Sequence, residues 1–236
     1  MTPRRNLERR HVQRGKYDTW LTFYRKERPG PFTNRFGVLV AFDEMRLSPD
    51  EGTAPHLGDE AEIITYVYKG ALAQEDSTGS SGVIHAGEFQ RMTTGRRIRH
   101  KETNASRTDW AHVFRISLRP AQVSLDRAHE QKRFMAGKRH NVLCVVASPD
   151  TRKESLRIHQ DALICSSILD PGNHLIHELL PGRSAWLHIV CGEVALNDTI
   201  LTQGDGVGVT NEPAISITAQ ENSEILLVDL GQTPLP

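Results

Sequence analysis

Residues 67–72 read VYKGAL and residues 189–194 read IVCGEV, so a strand-like run interrupted by a glycine occurs twice in the chain. A second glycine follows each copy, Gly87 in an AGE turn and Gly204 in a QGD turn. The first pair of glycines is 122 residues apart and the second pair 117. Two homologous β-barrels in tandem would produce this repeat, and chance similarity between two hairpins is the alternative.

Hydrophobic patterning along the chain predicts an all-β fold with little helix. Short runs rich in β-branched residues are separated by turns that contain Gly, Pro, Asn and Asp. The predicted strands cover residues 36–42, 62–68, 82–85, 89–92, 110–118, 142–147, 163–169, 185–190, 214–217 and 224–230. One helix is expected, over residues 126–136. Many short strands with regular turns are typical of sandwiches and barrels.

Length and charge narrow the class of protein. The chain has 236 residues and a formal net charge of zero, which suits two small domains with buried cores. Residues 1–120 carry 20 Lys and Arg against 15 Asp and Glu, but no compact basic run with interleaved aromatics indicates direct nucleic-acid binding. No apolar stretch is long enough to cross a membrane, and the N-terminal residues are charged and contain no apolar signal core, so we expect a cytoplasmic protein.

Three cysteines, at positions 144, 165 and 191, each stand alone in an apolar run. An odd number of unpaired cysteines with no C-x-x-C spacing argues against a disulfide framework and a zinc ribbon. We therefore expect reduced, buried thiols.

Histidine and glutamate residues in the first half are the best candidates for chemistry. His100 and Glu102 are two residues apart, so a strand would place both side chains on one face. With His56 they would form a two-histidine, one-carboxylate set, which suits a non-haem Fe(II) centre with open positions. A hydrogen-bonded pair at a barrel mouth is the alternative. Glu62 and His112, in the same half of the chain, are further candidates for this site.

Nine stretches carry a resemblance to a known family. They are HLGDEAEIITYV (56–67), KGAL (69–72), GVI (82–84), AGEFQRM (86–92), IRHKE (98–102), EQKRF (130–134), VASPD (146–150), LRIHQDA (156–162) and AISI (214–217). Together they resemble the pirin family, whose members are bicupins. The resemblance implies two tandem cupin barrels of the jelly-roll type. The N-terminal domain, residues 1–122, would hold the metal site, and the C-terminal domain, residues 123–236, would lack one.

The same resemblance implies a metal site that this chain has altered. Pirin-family proteins hold one metal, usually iron, through three histidines and one glutamate. These ligands correspond to His56, Gly58, His100 and Glu102, so one histidine is replaced by glycine. Two outcomes follow: the three remaining ligands retain one transition metal, expected to be Fe(II), with lower affinity, or the metal is lost.

Further departures from the family surround this site. Arg115 and Ser117 stand where the family usually has Gln and Trp, and Arg96 and Arg97 lie in a turn that is usually small and rich in glycine. A guanidinium that points into the pocket would oppose a bound cation.

Two functions remain open from the sequence. The resemblance implies a metal-dependent dioxygenase of the quercetin 2,3-dioxygenase type, in which Glu102 would be the catalytic residue that accepts the hydroxyl proton of a flavonol-like substrate. The alternative is a non-catalytic or regulatory cupin that binds a small molecule or a protein partner, since pirin relatives include redox-responsive transcriptional cofactors. Neither interpretation involves a membrane.

Overall fold

The structure is a computed structural model that describes residues 1–24, 32, 34–53, 56–57, 61–93, 99–122 and 128–231, with the backbone alone at 56 and 57. Within these residues strands dominate, and the single α-helix, α1, spans only Ala136–Arg139. Two 3-10 turns cover Asn6–Glu8 and Arg152–Glu154. The all-β prediction is confirmed.

Twelve strands come from the first half of the described chain. They are β1 (Thr2–Arg4), β2 (Arg10–Arg14), β3 (Tyr17–Leu21), β4 (Leu39–Leu47), β5 (His56–Leu57), β6 (Glu62–Lys69), β7 (Ala71–Asp76), β8 (Ser81–His85), β9 (Glu88–Thr93), β10 (Arg99–Asn104), β11 (Ala111–Leu118) and β12 (Ala128–Arg133). A seven-stranded sheet, in the order β12-β9-β6-β11-β4-β3-β2, and a four-stranded sheet, in the order β5-β10-β7-β8, form the first barrel.

Ten strands follow in the second half. They are β13 (Cys144–Ser148), β14 (Leu156–Arg157), β15 (Ala162–Leu169), β16 (His174–Glu178), β17 (Ser184–Cys191), β18 (Glu193–Leu196), β19 (Thr199–Thr202), β20 (Gly206–Thr210), β21 (Ala214–Ala219) and β22 (Ser223–Leu230). Their sheets run β1-β20-β17-β22-β15-β13-β14 and β16-β21-β18-β19. This order repeats that of the first barrel strand by strand, which confirms the internal repeat.

The two halves exchange one edge strand each. Strand β1 pairs with β20 in the second barrel, with Pro3 opposite Val207. Strand β12 pairs with β9 in the first barrel, with Gln131 opposite Gln90. The domain boundary near residue 122 stays a prediction, and residues 123–127 lie outside the described part.

The helix expected over residues 126–136 is wrong for the described residues of that range. Residues 128–133 form β12, whose side chains alternate between half-buried and exposed, and helix begins only at Ala136. The stretch AHEQKR has high helix propensity. Pairing along the edge of β9 overrides that propensity, because strand formation here depends on a distant neighbour.

Buried apolar residues form three clusters. One fills the second barrel, with Leu187, Val207 and Leu227 among its members. A smaller cluster lies inside the first barrel. The largest joins residues of both halves, such as Phe114 and Trp186, and therefore lies between the barrels. The seven-stranded sheets thus have two buried faces, one toward their own barrel and one toward the other barrel.

Glycines end the equivalent strands β6 and β17 in the same conformation. Gly70 has φ +76° and Gly192 has φ +82°, a region that glycine adopts without steric cost. A Cβ at Gly70 would meet the backbone of Trp110 at 2.6 Å. The glycines of the sequence repeat therefore mark turns that other residues would strain.

Candidate functional site

Strand β10 carries the predicted histidine and glutamate into the first barrel. His100 and Glu102 are buried, with 8% and 4% of their surface exposed. Arg99, which precedes His100, and Lys101, which lies between the two, are exposed. The two inward side chains line one cavity. The sequence spacing of two therefore corresponds to one face of the strand.

The backbone of His56 lies next to that of His100 on the neighbouring strand. Strand β5 pairs antiparallel with β10, and His56 is in register with His100. The side chain of His56 lies outside the described part of the structure, as do Gly58, Arg96 and Arg97. The three-residue ligand set therefore stays a prediction.

Arg115 points into the first barrel and binds Glu102. Its Nη2 donates to Oε2 of Glu102 in a buried ion pair. The other carboxylate oxygen, Oε1, accepts a hydrogen bond of 3.2 Å from Nε2 of Gln74. Both oxygens of the predicted metal-binding carboxylate are therefore engaged by protein donors.

A second carboxylate lies across the strand from this arginine. Asp43 on β4 is in register with Arg115 on β11. Burial raises the pKa of Asp43 to about 6, although the positive charges of Arg115 and Arg9 and the backbone N–H of Thr22 act in the opposite direction. Its Oδ1 is buried and has no hydrogen-bond partner. Arg115 thus lies between a carboxylate of the neighbouring strand β4 and a carboxylate of β10 in the opposite sheet.

The cavity above Glu102 has a polar lining. It encloses about 540 Å³ of empty space, including its open mouth. Besides His100 and Glu102, its lining comprises Gln74, Glu75, Asp76, Ser80, Ser81, Gly82, Gln90, Met92, His129 and Gln131. Gln90 is only 5% exposed, and its Oε1 is buried without a hydrogen-bond partner. An unsatisfied buried oxygen on the wall of a cavity marks a place where a ligand donor would bind.

Equivalent positions in the second barrel are apolar. In the repeat, His100, Glu102 and Arg115 correspond to Ile215, Ile217 and Leu227, as the strand registers show. All three apolar residues are buried in the core of the second barrel. The polar cavity therefore belongs to the first barrel.

Two other predicted candidates serve the structure and lie away from this cavity. His112 contacts Oε1 of Glu44 at 2.8 Å between the barrels, on the opposite face of β11 from Arg115. Glu62 is fully buried and accepts hydrogen bonds from the backbone N–H groups of His159 and Gln160, at 2.7 and 2.8 Å. Glu62 therefore ties the first barrel to the second.

The arrangement does not fit a divalent cation. Among the described side chains, no three His, Cys, Asp or Glu residues are grouped so that they could hold a metal ion. More directly, Glu102 accepts a hydrogen bond from the guanidinium of Arg115, and a metal at this carboxylate would lie beside that positive charge. Metal binding here would first require Arg115 to leave Glu102.

No helix in the described ranges is long and apolar enough to span a bilayer.

Comparisons with known proteins agree with this architecture. The sequence profile described as "Pirin" matches residues 6–117, and the profile described as "Quercetinase C-terminal cupin domain" matches residues 145–230. The chain is 34% identical over 229 residues to a quercetin 2,3-dioxygenase of Escherichia coli K12, covering 96% of this chain and 97% of the relative. A pirin-like protein of Caulobacter vibrioides is 32% identical over 200 residues, covering 84% and 86%.

Solved structures show the same fold. A bacterial pirin of E. coli in complex with nickel(II) superimposes with a TM-score of 0.89 at 32% identity, covering 98% of both chains. A quercetin 2,3-dioxygenase of Acinetobacter baumannii, at 16% identity and a TM-score of 0.79, shares the fold, covering 96% of this chain and 85% of that one. The bicupin prediction is confirmed, and the chain belongs to the pirin family.

Proposed function

We propose that this pirin-family bicupin binds a flavonol-like, polyhydroxylated small molecule in the cavity of its first barrel, as a binding or regulatory protein. The unsatisfied Oε1 of Gln90 carries the proposal, because a buried acceptor gains a hydrogen bond only from a molecule that enters the cavity.

The charge of the lining favours hydroxyl donors over acids. Glu75, Asp76 and Glu102 line the cavity, and Glu102 is paired with Arg115. A carboxylate ligand would meet this negative lining, whereas hydroxyl groups can donate to it. Met92 adds an apolar, polarisable surface against which an aromatic ring can pack.

Binding is tested by titrating the protein with quercetin and following the change in flavonol absorbance. We expect saturable binding to one site per chain. Gln90→Met keeps the shape of the side chain but removes the buried acceptor, and should weaken binding about tenfold. Gln220→Met, at an exposed position of the second half, is the matched control. Equal affinities of the two variants would refute the role of Gln90, and the absence of wild-type binding would refute the function.

A dioxygenase is the second candidate, and the names of the relatives favour it. It would require the predicted set of His56, His100 and Glu102 to hold a transition metal, with Fe(II) as the expected ion and Glu102 as the base. Oxygen uptake in the presence of quercetin, after anaerobic iron reconstitution, tests this activity. The ion pair between Arg115 and Glu102 argues for the binding function.

A further inference from the structure

We infer that Arg115 is the resident cation of the first barrel: its guanidinium neutralises Glu102, and the cavity receives its ligand without a divalent metal. This inference rests on the proposed ligand-binding function of the same cavity. It assigns to Arg115 a positioning role, since the residue acts on the ligand through Glu102.

The contacts of Glu102 support this assignment. The side chain of Glu102 is 6% exposed and that of Arg115 is 16% exposed, so the pair is largely removed from water. A carboxylate in this position is stable only when its charge and its lone pairs are matched. Arg115 supplies the charge, and Gln74 supplies a second hydrogen bond. Glu102 therefore needs no metal to be stable in the fold.

The surroundings hold the guanidinium in place. Asp43 on β4 is in register with Arg115 on β11, and its carboxylate attracts the guanidinium of Arg115. On the other side of β11, Thr65 of β6 is in register with Arg115, and its neutral hydroxyl cannot replace the charge of Asp43 or Glu102. Releasing Arg115 toward solvent would leave two buried carboxylates without it, which opposes a simple exchange of arginine for metal.

Electrostatics makes the two cations mutually exclusive. An arginine remains protonated whenever the protein is folded, so its charge cannot be removed to admit a metal. A divalent ion at Glu102 would share a carboxylate with this charge at close range, where repulsion is weakly screened. The cavity can therefore hold either cation, and the chain carries the arginine.

Nickel(II) is the probe, because a related structure holds this ion. Binding is measured by equilibrium dialysis with elemental analysis, and thermal unfolding with and without nickel gives an independent readout. Wild-type protein should bind nickel weakly and show no change in Tm. Arg115→Gln keeps a hydrogen-bond donor but removes the charge, and should raise nickel affinity at least about tenfold.

Thermal unfolding of the variants distinguishes the effect of the charge of Arg115 from the effect of its shape. Metal-free Arg115→Gln should unfold about 8 °C below the wild type, because Glu102 loses its counter-charge, and nickel should restore at least half of this loss. Arg115→Lys keeps the charge and should bind nickel as weakly as the wild type. Arg133→Gln, at an exposed arginine of β12, is the matched control and should leave both measurements unchanged.

Three outcomes would overturn the inference. These are stoichiometric binding of nickel by the wild type with the affinity of Arg115→Gln, a nickel affinity of Arg115→Gln no higher than that of Arg133→Gln, or tight nickel binding by Arg115→Lys. If Arg115→Gln does not fold, the wild type and Arg115→Lys still decide the question.

Quercetin titration of the metal-free proteins separates this inference from the proposed function. Quercetin binding without the predicted nickel pattern would refute the role of Arg115 and leave the binding function standing. The predicted nickel pattern without quercetin binding would refute the binding function and leave the resident arginine standing.

Discussion

Arg9 and Arg139 occupy equivalent places on opposite sides of the interface between the barrels. Nη1 of Arg9 lies 2.7 Å from a carboxylate oxygen of Glu44, and Nη1 of Arg139 lies 2.7 Å from one of Glu224. Each arginine follows the strand that its half lends to the other barrel. Each side of the interface therefore has a buried arginine–glutamate pair, although the two glutamates come from non-equivalent strands.

Removing either arginine should destabilise the whole molecule. Arg139→Leu would leave Glu224 with only the hydroxyl of Tyr66 as a partner, and a buried charge that loses its counter-ion costs about 3 kcal/mol of unfolding free energy. Arg9→Leu should cost a similar amount. Urea unfolding measures both. Arg133→Leu, on the surface, should cost less than about 1 kcal/mol, and equal losses in all three variants would contradict the prediction.

His188→Phe should stabilise the protein. His188 is fully buried between Phe42 and Phe114, and both ring nitrogens lack a hydrogen-bond partner. Phenylalanine removes two unsatisfied polar atoms and keeps the aromatic packing, so we expect a gain of about 1–2 kcal/mol in urea unfolding at pH 7. His85→Phe, at an exposed position, should give no gain. A loss of stability at position 188 would show that its nitrogens are satisfied.

The same variant should change the response to acid. Burial lowers the pKa of His188 well below its usual value of 6.5. The charges of Arg9 and His112 act in the same direction, and that of Glu44 acts in the opposite direction. The unfolded chain therefore binds a proton below pH 6.5 that the folded protein does not, so stability falls as the pH falls through 6.5. Between pH 6.5 and 5.5 this group should remove about 1 kcal/mol from the wild type, and nothing from His188→Phe.

Asp43 should have the opposite dependence on pH. Burial raises its pKa from 3.8 to about 6, so the folded protein holds a proton that the unfolded chain has already lost between these values. Its contribution to stability is complete below pH 3.8 and is lost as the pH rises through 6. Asp43→Asn should therefore match the wild type near pH 4 and exceed it by about 2–3 kcal/mol at pH 7.5.

Unfolding of Asp43→Asn and the wild type at several pH values measures this difference. Asp198→Asn, at an exposed carboxylate, is the control and should run parallel to the wild type. A constant difference between Asp43→Asn and the wild type across the range would show that Asp43 does not titrate differently on folding.

Gly192→Ala should be strongly destabilising. Its φ of +82° disfavours any side chain, and a Cβ would collide with the hydroxyl of Ser223 and the backbone carbonyl of Asn222. We expect a loss of at least about 2 kcal/mol of unfolding free energy. Gly82→Ala is the matched control, because a Cβ there would meet open space. A neutral Gly192→Ala variant would mean that the turn adopts another conformation.

Replacing Gly58 by the family's histidine should act only in combination. Gly58→His alone should raise nickel affinity less than threefold, because Arg115 still holds Glu102. The double variant Gly58→His/Arg115→Gln should bind more tightly than the two single effects predict, and this excess is the coupling between the sites. Dialysis with elemental analysis measures all four proteins. Strictly additive effects would contradict the competition between arginine and metal.

The apolar strands were predictable because their pattern is local. Strands β6, β11, β15, β17 and β22 lie at the centres of the sheets, where burial on both faces produces nearly continuous apolar runs. Strand β10 reads RHKETN and was not predicted as a strand, because its inward residues line a polar cavity. The two lent strands, β1 and β12, depend on partners far away in the chain, which local patterns do not report.

The candidate site was predictable in part. The spacing of His100 and Glu102 indicates one face of a strand, and the structure places both on one cavity. The sequence alone could not predict toward which face of β11 the side chain of Arg115 points, since both faces of this strand are buried in the folded protein. A signal was nevertheless present: Asp43 and Arg115 are charged residues inside apolar runs, at neighbouring positions of paired strands. No comparable sequence pattern indicated that Gln90 would line the cavity.

Interleaving of the repeats has a consequence for how this chain can be divided. After a single cleavage near residue 122, each seven-stranded sheet would still contain one edge strand that belongs to the other fragment. The fragments would remain associated through these strands as a nicked complex, and each fragment expressed alone would present an unpaired sheet edge prone to aggregation. Because each half completes the larger sheet of the other, we expect neither half to fold as an independent module.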